Sequence, residues 1–240
     1  MWPLSKKFGC NYKLAIDFLI KAKKLGLIPW GVSFHVGSQQ TSVDAWEQAF
    51  KLTKYIYEAL LESGIKLSII NAGGGLPAFN YTYNLATIEE YVNKIKANKE
   101  QYFKGIPIDI LIEPGRYLVA DAGIIKTEVI LISTKSKNYK KKWVYLDAGV
   151  FGGLIETLGE SIKYKIVPEN NLNNEGGLML VNLAGPTCDS MDIMYQKTPY
   201  YLPKNLKAGD NLLVLATGAY TYTYSSICFN GFPPLNLHFI

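Results

Sequence analysis

At 240 residues, with 48% hydrophobic and 19% charged side chains, the chain can bury one substantial core or two smaller ones, which excludes a disordered polymer. Its longest apolar runs, such as Val129 to Ile132 and Leu212 to Ala216, fall far short of the roughly 18 residues a spanning helix needs, so no membrane partner is expected. A net charge of +5 is modest, and three widely spaced cysteines, Cys10, Cys188 and Cys228, make neither a disulfide framework nor a zinc site, so no metal is expected.

Met1-Trp2-Pro3 runs directly into the polar Ser5-Lys6-Lys7 without an apolar leader region, which points to the cytoplasm. Tyr12 to Leu25 carries Leu14, Phe18, Ala22 and Leu25 at helical spacing and stops at Gly26, and Gly31 to Val36 then reads as a strand. Thr41 or Ser42 can cap a second helix through Ser63, with Trp46, Phe50, Tyr57 and Leu60 or Leu61 on its buried side and Gly64 as its stop. Leu67 to Asn71 reads as the next strand, Thr87 to Phe103 as a third helix and Ile108 to Ile112 as a third strand. Strands alternating with helices in this way indicate a parallel sheet, either a barrel or a doubly wound one. After Arg116 the pattern changes. Ile124 to Thr134, Trp143 to Asp147, Lys163 to Val167, Leu178 to Leu183 and Asn211 to Ala216 look like strands joined by turns. The expected organisation is an α/β part over residues 1–120 followed by a β-domain over 121–240, with the boundary near 117–123. The lysines between 135 and 142 read as a solvated hairpin tip, and no nucleic-acid partner is expected because no aromatic platform or basic helix accompanies them.

Each early strand ends in residues with chemistry: His35 with Gly37-Ser38, then Gly73-Gly74-Gly75, then Glu113-Pro114-Gly115-Arg116. In parallel α/β architectures ligands bind at that carboxyl edge. Bare N–H groups of successive glycines suit a phosphate, although a triplet fits a tight turn equally well. Arg116 offers a fork-shaped cation for phosphate, or a surface ion pair. His35 is either a satisfied core imidazole or a flat ring stacked on an aromatic cofactor. Glu113 follows an apolar run, so its carboxylate should sit in a partly dry site and need a partner, either a protonated ring nitrogen or Arg116. Further on, Gly185-Pro186-Thr187-Cys188-Asp189-Ser190-Met191-Asp192 sets a thiol between a rigid turn and two carboxylates. A buried cysteine would be inert, but this context favours an exposed loop. Asp189 and Asp192 can equally cap a following helix.

The order His-Val-Gly-Ser, Gly-Gly-Gly-Leu-Pro, Glu-Pro-Gly-Arg, Gly-Pro-Thr-Cys-Asp-Ser-Met-Asp, Gly-Ala-Tyr-Thr and Phe-Asn-Gly-Phe, spread over residues 4 to 232, resembles the pyridoxal-phosphate-dependent ornithine/lysine decarboxylases of the alanine-racemase fold. The resemblance implies a TIM-type β/α barrel followed by a β-domain, a homodimer with active sites at the subunit interface, and decarboxylation of a basic amino acid, ornithine or lysine, to a diamine such as putrescine in polyamine biosynthesis. It implies that His35 stacks on the ring of pyridoxal 5′-phosphate. Ser38, Gly73, Gly74, Gly75, Gly115, Arg116 and Tyr220 would hold its phosphate end, and Glu113 would meet the pyridinium nitrogen. Cys188, from the neighbouring subunit, would return a proton to the α-carbon, and Asp189 would hold the distal ammonium of the substrate. Glu160 falls about where the family has a second carboxylate for that amine, with Glu156 competing, and Phe229 would line the pocket. No residue decides between ornithine and lysine, which differ by one methylene worth about 1–3 kcal/mol.

One departure follows from the same resemblance. The family carries its cofactor-anchoring lysine on the first barrel strand, well before a Leu-Ser-x-Lys-Phe-Gly block, and here that block, Leu4 to Gly9, begins the sequence. The resemblance therefore implies that the first half of the barrel, the anchoring lysine and an N-terminal strand of the β-domain are absent; Lys6 and Lys7 lie in a different motif. Three expectations stand: the C-terminal product of a split or shortened gene that needs a complementary N-terminal chain, a remnant or partial piece of an ordinary decarboxylase, or a non-catalytic regulator that binds a full-length one.

Overall fold

The structure, a computed structural model, describes residues 7–79, 81, 85–170 and 176–240. The expected block at Leu4 to Gly9 therefore lies partly outside the described residues, Lys6 included. The chain divides into two compact units, one formed by residues up to 77 and 84–117, the other by 78–83 and 118–240.

In the first unit three helices alternate with three short strands. Helix α1 (Tyr12–Lys24) starts at Asn11, whose Oδ1 accepts the Leu14 N–H at 3.0 Å, and ends with Lys21, Lys23 and Lys24 against the negative end of its dipole. Strand β1 (Gly31–Ser33) leads to helix α2 (Ala45–Glu62). That helix begins later than its sequence suggests. Neither Thr41 nor Ser42 caps it; Asp44 stands at the N-cap without a side-chain capping bond, and the Ser42 hydroxyl instead accepts the Asp44 N–H and closes a turn. Its buried side holds Trp46, Phe50, Tyr57 and Leu60, as the spacing predicts, and leaves Leu61 outside. Strand β2 (Ile69–Asn71), helix α3 (Ile88–Phe103) and strand β3 (Asp109–Leu111) follow. Thr87 and Glu90 form a reciprocal capping box at the start of α3. The three strands are parallel in the order β1-β2-β3, with Gly31 opposite Ile69 and Ile69 opposite Asp109. Trp46, Phe50, Leu60, Ile70, Tyr91 and Phe103 fill the core beneath them. Each is almost wholly removed from water, worth about 1.5–3 kcal/mol per large side chain. A short helix, α4 (Gly115–Val119), closes this part.

The second unit is a seven-stranded sheet: β4 (Ile125–Ser133), β5 (Lys142–Leu146), β6 (Ile166–Pro168), β7 (Leu178–Ala184), β8 (Ile193–Met194), β9 (Tyr200–Pro203) and β10 (Asn211–Val214). The order is β6-β10-β4-β5-β7-β8 with β9 also on β7, and every pairing is antiparallel except β5 with β7. Val129, Val144, Leu146, Val181, Leu183 and Leu212 make its core. Tyr195 and Tyr200 stack at 4.8 Å, and their hydroxyls accept the backbone N–H groups of Tyr164 and Ile166. Ala78, Phe79 and Tyr81 belong to this unit: the Tyr81 hydroxyl donates to the Ala216 carbonyl at 3.1 Å and its ring meets Tyr164 edge-on. Among the described residues no helix is long and apolar enough to cross a membrane. The architecture is that of an open β/α-barrel segment followed by a β-domain.

Candidate functional site

In the first unit the segments that follow β1, β2 and β3 are laced together by backbone. Phe34 N–H donates to Asn71 O, Ala72 N–H to Leu111 O, Glu113 N–H to Gly73 O and Gln40 N–H to Gly75 O, all within 2.8–3.0 Å. This lacing explains the glycine triplet. A Cβ on Gly73 would lie 2.0 Å from the Phe34 carbonyl, one on Gly74 would lie 2.6 Å from the Glu113 carbonyl, and one on Gly75 would lie 2.5 Å from the Gly37 carbonyl. Close approach of three loops forbids side chains here before any ligand is considered. The three N–H groups also differ: that of Gly73 donates to Asn71 Oδ1 at 3.0 Å, whereas those of Gly74 and Gly75 meet no acceptor among the described residues. Gly115 N–H is turned onto the Glu113 carbonyl.

Arg116 is 3% exposed, and its Nε and Nη2 both donate to Ser38 Oγ, at 3.1 and 3.0 Å. A sequestered guanidinium holding a hydroxyl beside two unused N–H groups is a donor set suited to a phosphate. His35 Nδ1 accepts the Gly37 N–H at 2.9 Å, so the neutral ring carries its proton on Nε2. Burial pushes the imidazole pKa down and outweighs the opposite pull of the Glu113 charge. The Nε2 edge overlies Gly74, 3.0 Å from where a Cβ would stand. Glu113 departs from the expected partly dry site, and of its two expected partners Arg116 is not shown bonding it. It is exposed, as are Leu111 and Ile112 before it, and its Oε1 accepts the Asn71 Nδ2–H at 3.0 Å. The apolar run that suggested burial lies on a three-residue strand with its outer positions open to solvent.

The second unit carries the other expected residues. Tyr220 is half-exposed in a left-handed backbone conformation (φ 55°), its ring 5.9 Å from that of Tyr224. The exposed Cys188 donates from both its N–H and its Sγ to Asn230 Oδ1, each at 3.0 Å. Asn230 thereby joins the Gly185–Asp192 loop to the Phe229–Gly231 turn. Asp189 Oδ1 accepts the Met191 N–H at 2.8 Å. No helix follows Asp192 for it to cap. Its carboxylate is 2% exposed and accepts from Val150 N–H, Thr187 N–H and the Thr187 hydroxyl, clamping the loop from beneath. Both oxygens of Glu160 are engaged by the chain at Lys197 and Thr198. Burial would raise its pKa, but the Thr198 hydroxyl and the two backbone N–H groups prevail and hold it low. Glu160 thus has a structural occupation, and the competing Glu156 is 4% exposed. Phe229 packs on Phe151 at 4.4 Å, and both line an apolar cavity of about 740 Å³ with Gly185, Pro186, Phe232 and Leu235.

Residues 3–120 match the family model described as the pyridoxal-binding domain of pyridoxal-dependent decarboxylases. A lysine/ornithine decarboxylase of Selenomonas ruminantium is 31% identical over 232 residues, covering 95% of this chain and 55% of the relative. Antizyme inhibitor 2 of Xenopus laevis is 32% identical over 246 residues, covering 98% and 53%. Among solved structures, lysine/ornithine decarboxylase from Vibrio vulnificus complexed with putrescine superposes with a TM-score of 0.78 at 31% identity, covering 96% of this chain and 60% of the other. The chain spans about half the length of the curated relatives it matches. With sequence and fold agreeing along nearly the whole chain, the protein belongs to the pyridoxal-phosphate-dependent ornithine/lysine decarboxylase family.

Proposed function

We propose that this chain supplies the cofactor cradle and the substrate-facing loops of an enzyme that decarboxylates ornithine or lysine to a diamine, and so serves polyamine synthesis in the cytoplasm as a homodimer. The observation that carries the proposal is the buried Arg116 on the half-buried Ser38 hydroxyl, together with the unused N–H groups of Gly74 and Gly75 and the flat, neutral His35 of the same laced strand ends. Those donors hold the phosphate, with Gly115 shaping the turn. His35 covers one face of the ring, and its lowered pKa keeps a positive charge off that face. Glu113 accepts a proton-bearing ring nitrogen. Pyridoxal phosphate, when bound, supplies the electron sink that takes up the pair left by departing carbon dioxide. Cys188 of the neighbouring copy then delivers the proton. Its Sγ–H rests on Asn230 Oδ1; it turns from that acceptor to pass the proton to the α-carbon, and the sulfur takes the negative charge. Asp189 receives the distal ammonium, with Glu160 acting on that end through the Lys197–Thr198 segment it anchors, and Phe229 bounds the apolar stretch of the substrate.

The amine that anchors the cofactor aldehyde is assigned to an N-terminal β/α segment outside these 240 residues, on a complementary chain or a longer one. Carbon dioxide release from labelled ornithine and lysine tests this. Activity is expected when the chain is mixed with such a segment from a relative; activity of the chain alone would refute the assignment. Resemblance to a protein named antizyme inhibitor favours a second reading, a non-catalytic partner of a full-length decarboxylase. That reading predicts co-purification with the full-length enzyme and no bound cofactor.

A further inference from the structure

Asn71, at the end of β2, has an amide engaged on both sides. Its Oδ1 accepts the Gly73 N–H at 3.0 Å and its Nδ2 donates to Glu113 Oε1 at 3.0 Å. The first bond dictates the second: an amide whose oxygen is taken by an N–H donor must turn its NH₂ the other way. Backbone makes the frame rigid, because Glu113 N–H donates to Gly73 O and Ala72 N–H donates to Leu111 O. Asn71, Gly73 and Glu113 therefore close a small ring of hydrogen bonds over the ends of β2 and β3. An exposed glutamate otherwise samples several rotamers, most of which withdraw its carboxylate. His35, after β1, is the titratable group that faces Glu113 across this ring.

We propose that Asn71 is the positioning residue for Glu113, a neutral amide locked by Gly73 that pins one carboxylate oxygen and leaves the other aimed at the ring nitrogen of the bound cofactor. The inference rests on the proposed cradle and deepens it; Asn71 itself touches no cofactor atom. An amide suits this place because it donates a hydrogen bond without adding a charge that would compete with a pyridinium for the carboxylate. The residues responsible for ring-nitrogen recognition are then two, one on each of two adjacent strand ends.

The test compares binding of pyridoxine 5′-phosphate, which has the ring and phosphate but no aldehyde, with binding of its 1-deaza analogue, which lacks the ring nitrogen. Equilibrium dialysis is run on the full chain, wild type, Asn71→Leu, Asn71→Ala and Glu113→Gln, with thermal melts to confirm folding. The wild type should prefer the pyridine by about tenfold or more, the scale of a charge-assisted hydrogen bond. In both Asn71 variants the preference should fall to that of Glu113→Gln, while affinity for the deaza compound changes by less than about twofold, since the phosphate donors are untouched. A wild-type preference in either folded Asn71 variant would overturn the proposal. So would an equal loss for both ligands, which would make Asn71 a loop-shaping residue only. A wild type that binds neither compound would instead refute the cradle itself, and that result is read without any variant.

Discussion

Replacing Asp192 with alanine removes a carboxylate that is 2% exposed and accepts three hydrogen bonds: Val150 N–H at 2.8 Å, Thr187 N–H at 3.1 Å and Thr187 Oγ1 at 2.7 Å. Val150 is fully buried, so its orphaned N–H should cost about 1–3 kcal/mol, whereas the partly exposed Thr187 can turn to water at about 0.5–1.5 kcal/mol. Relief of the carboxylate's own desolvation offsets part of this, leaving a net loss of about 1–4 kcal/mol. Asparagine keeps an oxygen for Val150 but sets an NH₂ against the Thr187 N–H, so Asp192→Asn should lose about half as much. The two variants therefore fall in a fixed order. Urea unfolding followed by tyrosine and tryptophan fluorescence measures both losses. Because Asp192 holds the loop that carries Cys188 and Asp189, the same variants should show faster amide hydrogen exchange at Thr187 and Cys188. A loss below about 1 kcal/mol in the alanine variant, or asparagine costing more than alanine, would refute the clamp.

Three other expectations follow from single contacts. Gly74→Ala must push the Glu113 carbonyl and the His35 ring apart, so it should abolish pyridoxine phosphate binding in dialysis and destabilise the chain by about 1–3 kcal/mol, whereas Gly152→Ala, with no atom closer than 3.5 Å, should do neither. Tyr195→Phe removes the hydroxyl that accepts the Tyr164 N–H at 2.9 Å and donates to Ile162 O, a loss of about 1–3 kcal/mol by urea unfolding. His35 has a folded pKa below its ordinary 6.5, so the unfolded chain takes up the proton first; its contribution to stability is whole above that value and fades as pH falls through the lowered one. His35→Gln should accordingly lose less stability than wild type between about pH 7 and 5, and an identical pH slope in both proteins would contradict the neutral ring.

Much of this was legible from residue order. Helical spacing marked Trp46, Phe50, Tyr57 and Leu60 as one buried side, and α2 buries them. Turn chemistry and short β-rich runs marked five strands of the second half, and strands form at all five, with β6 starting three residues later than its run, at Ile166. What escaped depended on contacts between distant residues. Strand β9 reads poorly because Tyr200–Pro203 lies between prolines, and only its pairing to β7 makes it a strand. Strand β8 is two residues long, too short for any period to register. In the site, His35, Ser38, Glu113 and Arg116 announced themselves by chemical type. Asn71 and Asn230 did not, because asparagine at the end of a strand or in a Phe-Asn-Gly turn is already explained by local geometry. Asp192 failed as a helix cap because its partners, Val150 and Thr187, were invisible until the loops were folded.

The place of Tyr81 in the second unit also sets a timetable for synthesis. Tyr81 leaves the ribosome 135 residues before Ala216, the residue whose carbonyl it must reach. At about 5–20 residues per second the phenol waits roughly 7 to 27 s for that acceptor. A nascent chain in which Tyr81 has not yet met this acceptor should therefore persist for that interval, and any factor that shields nascent aromatic segments has a target there.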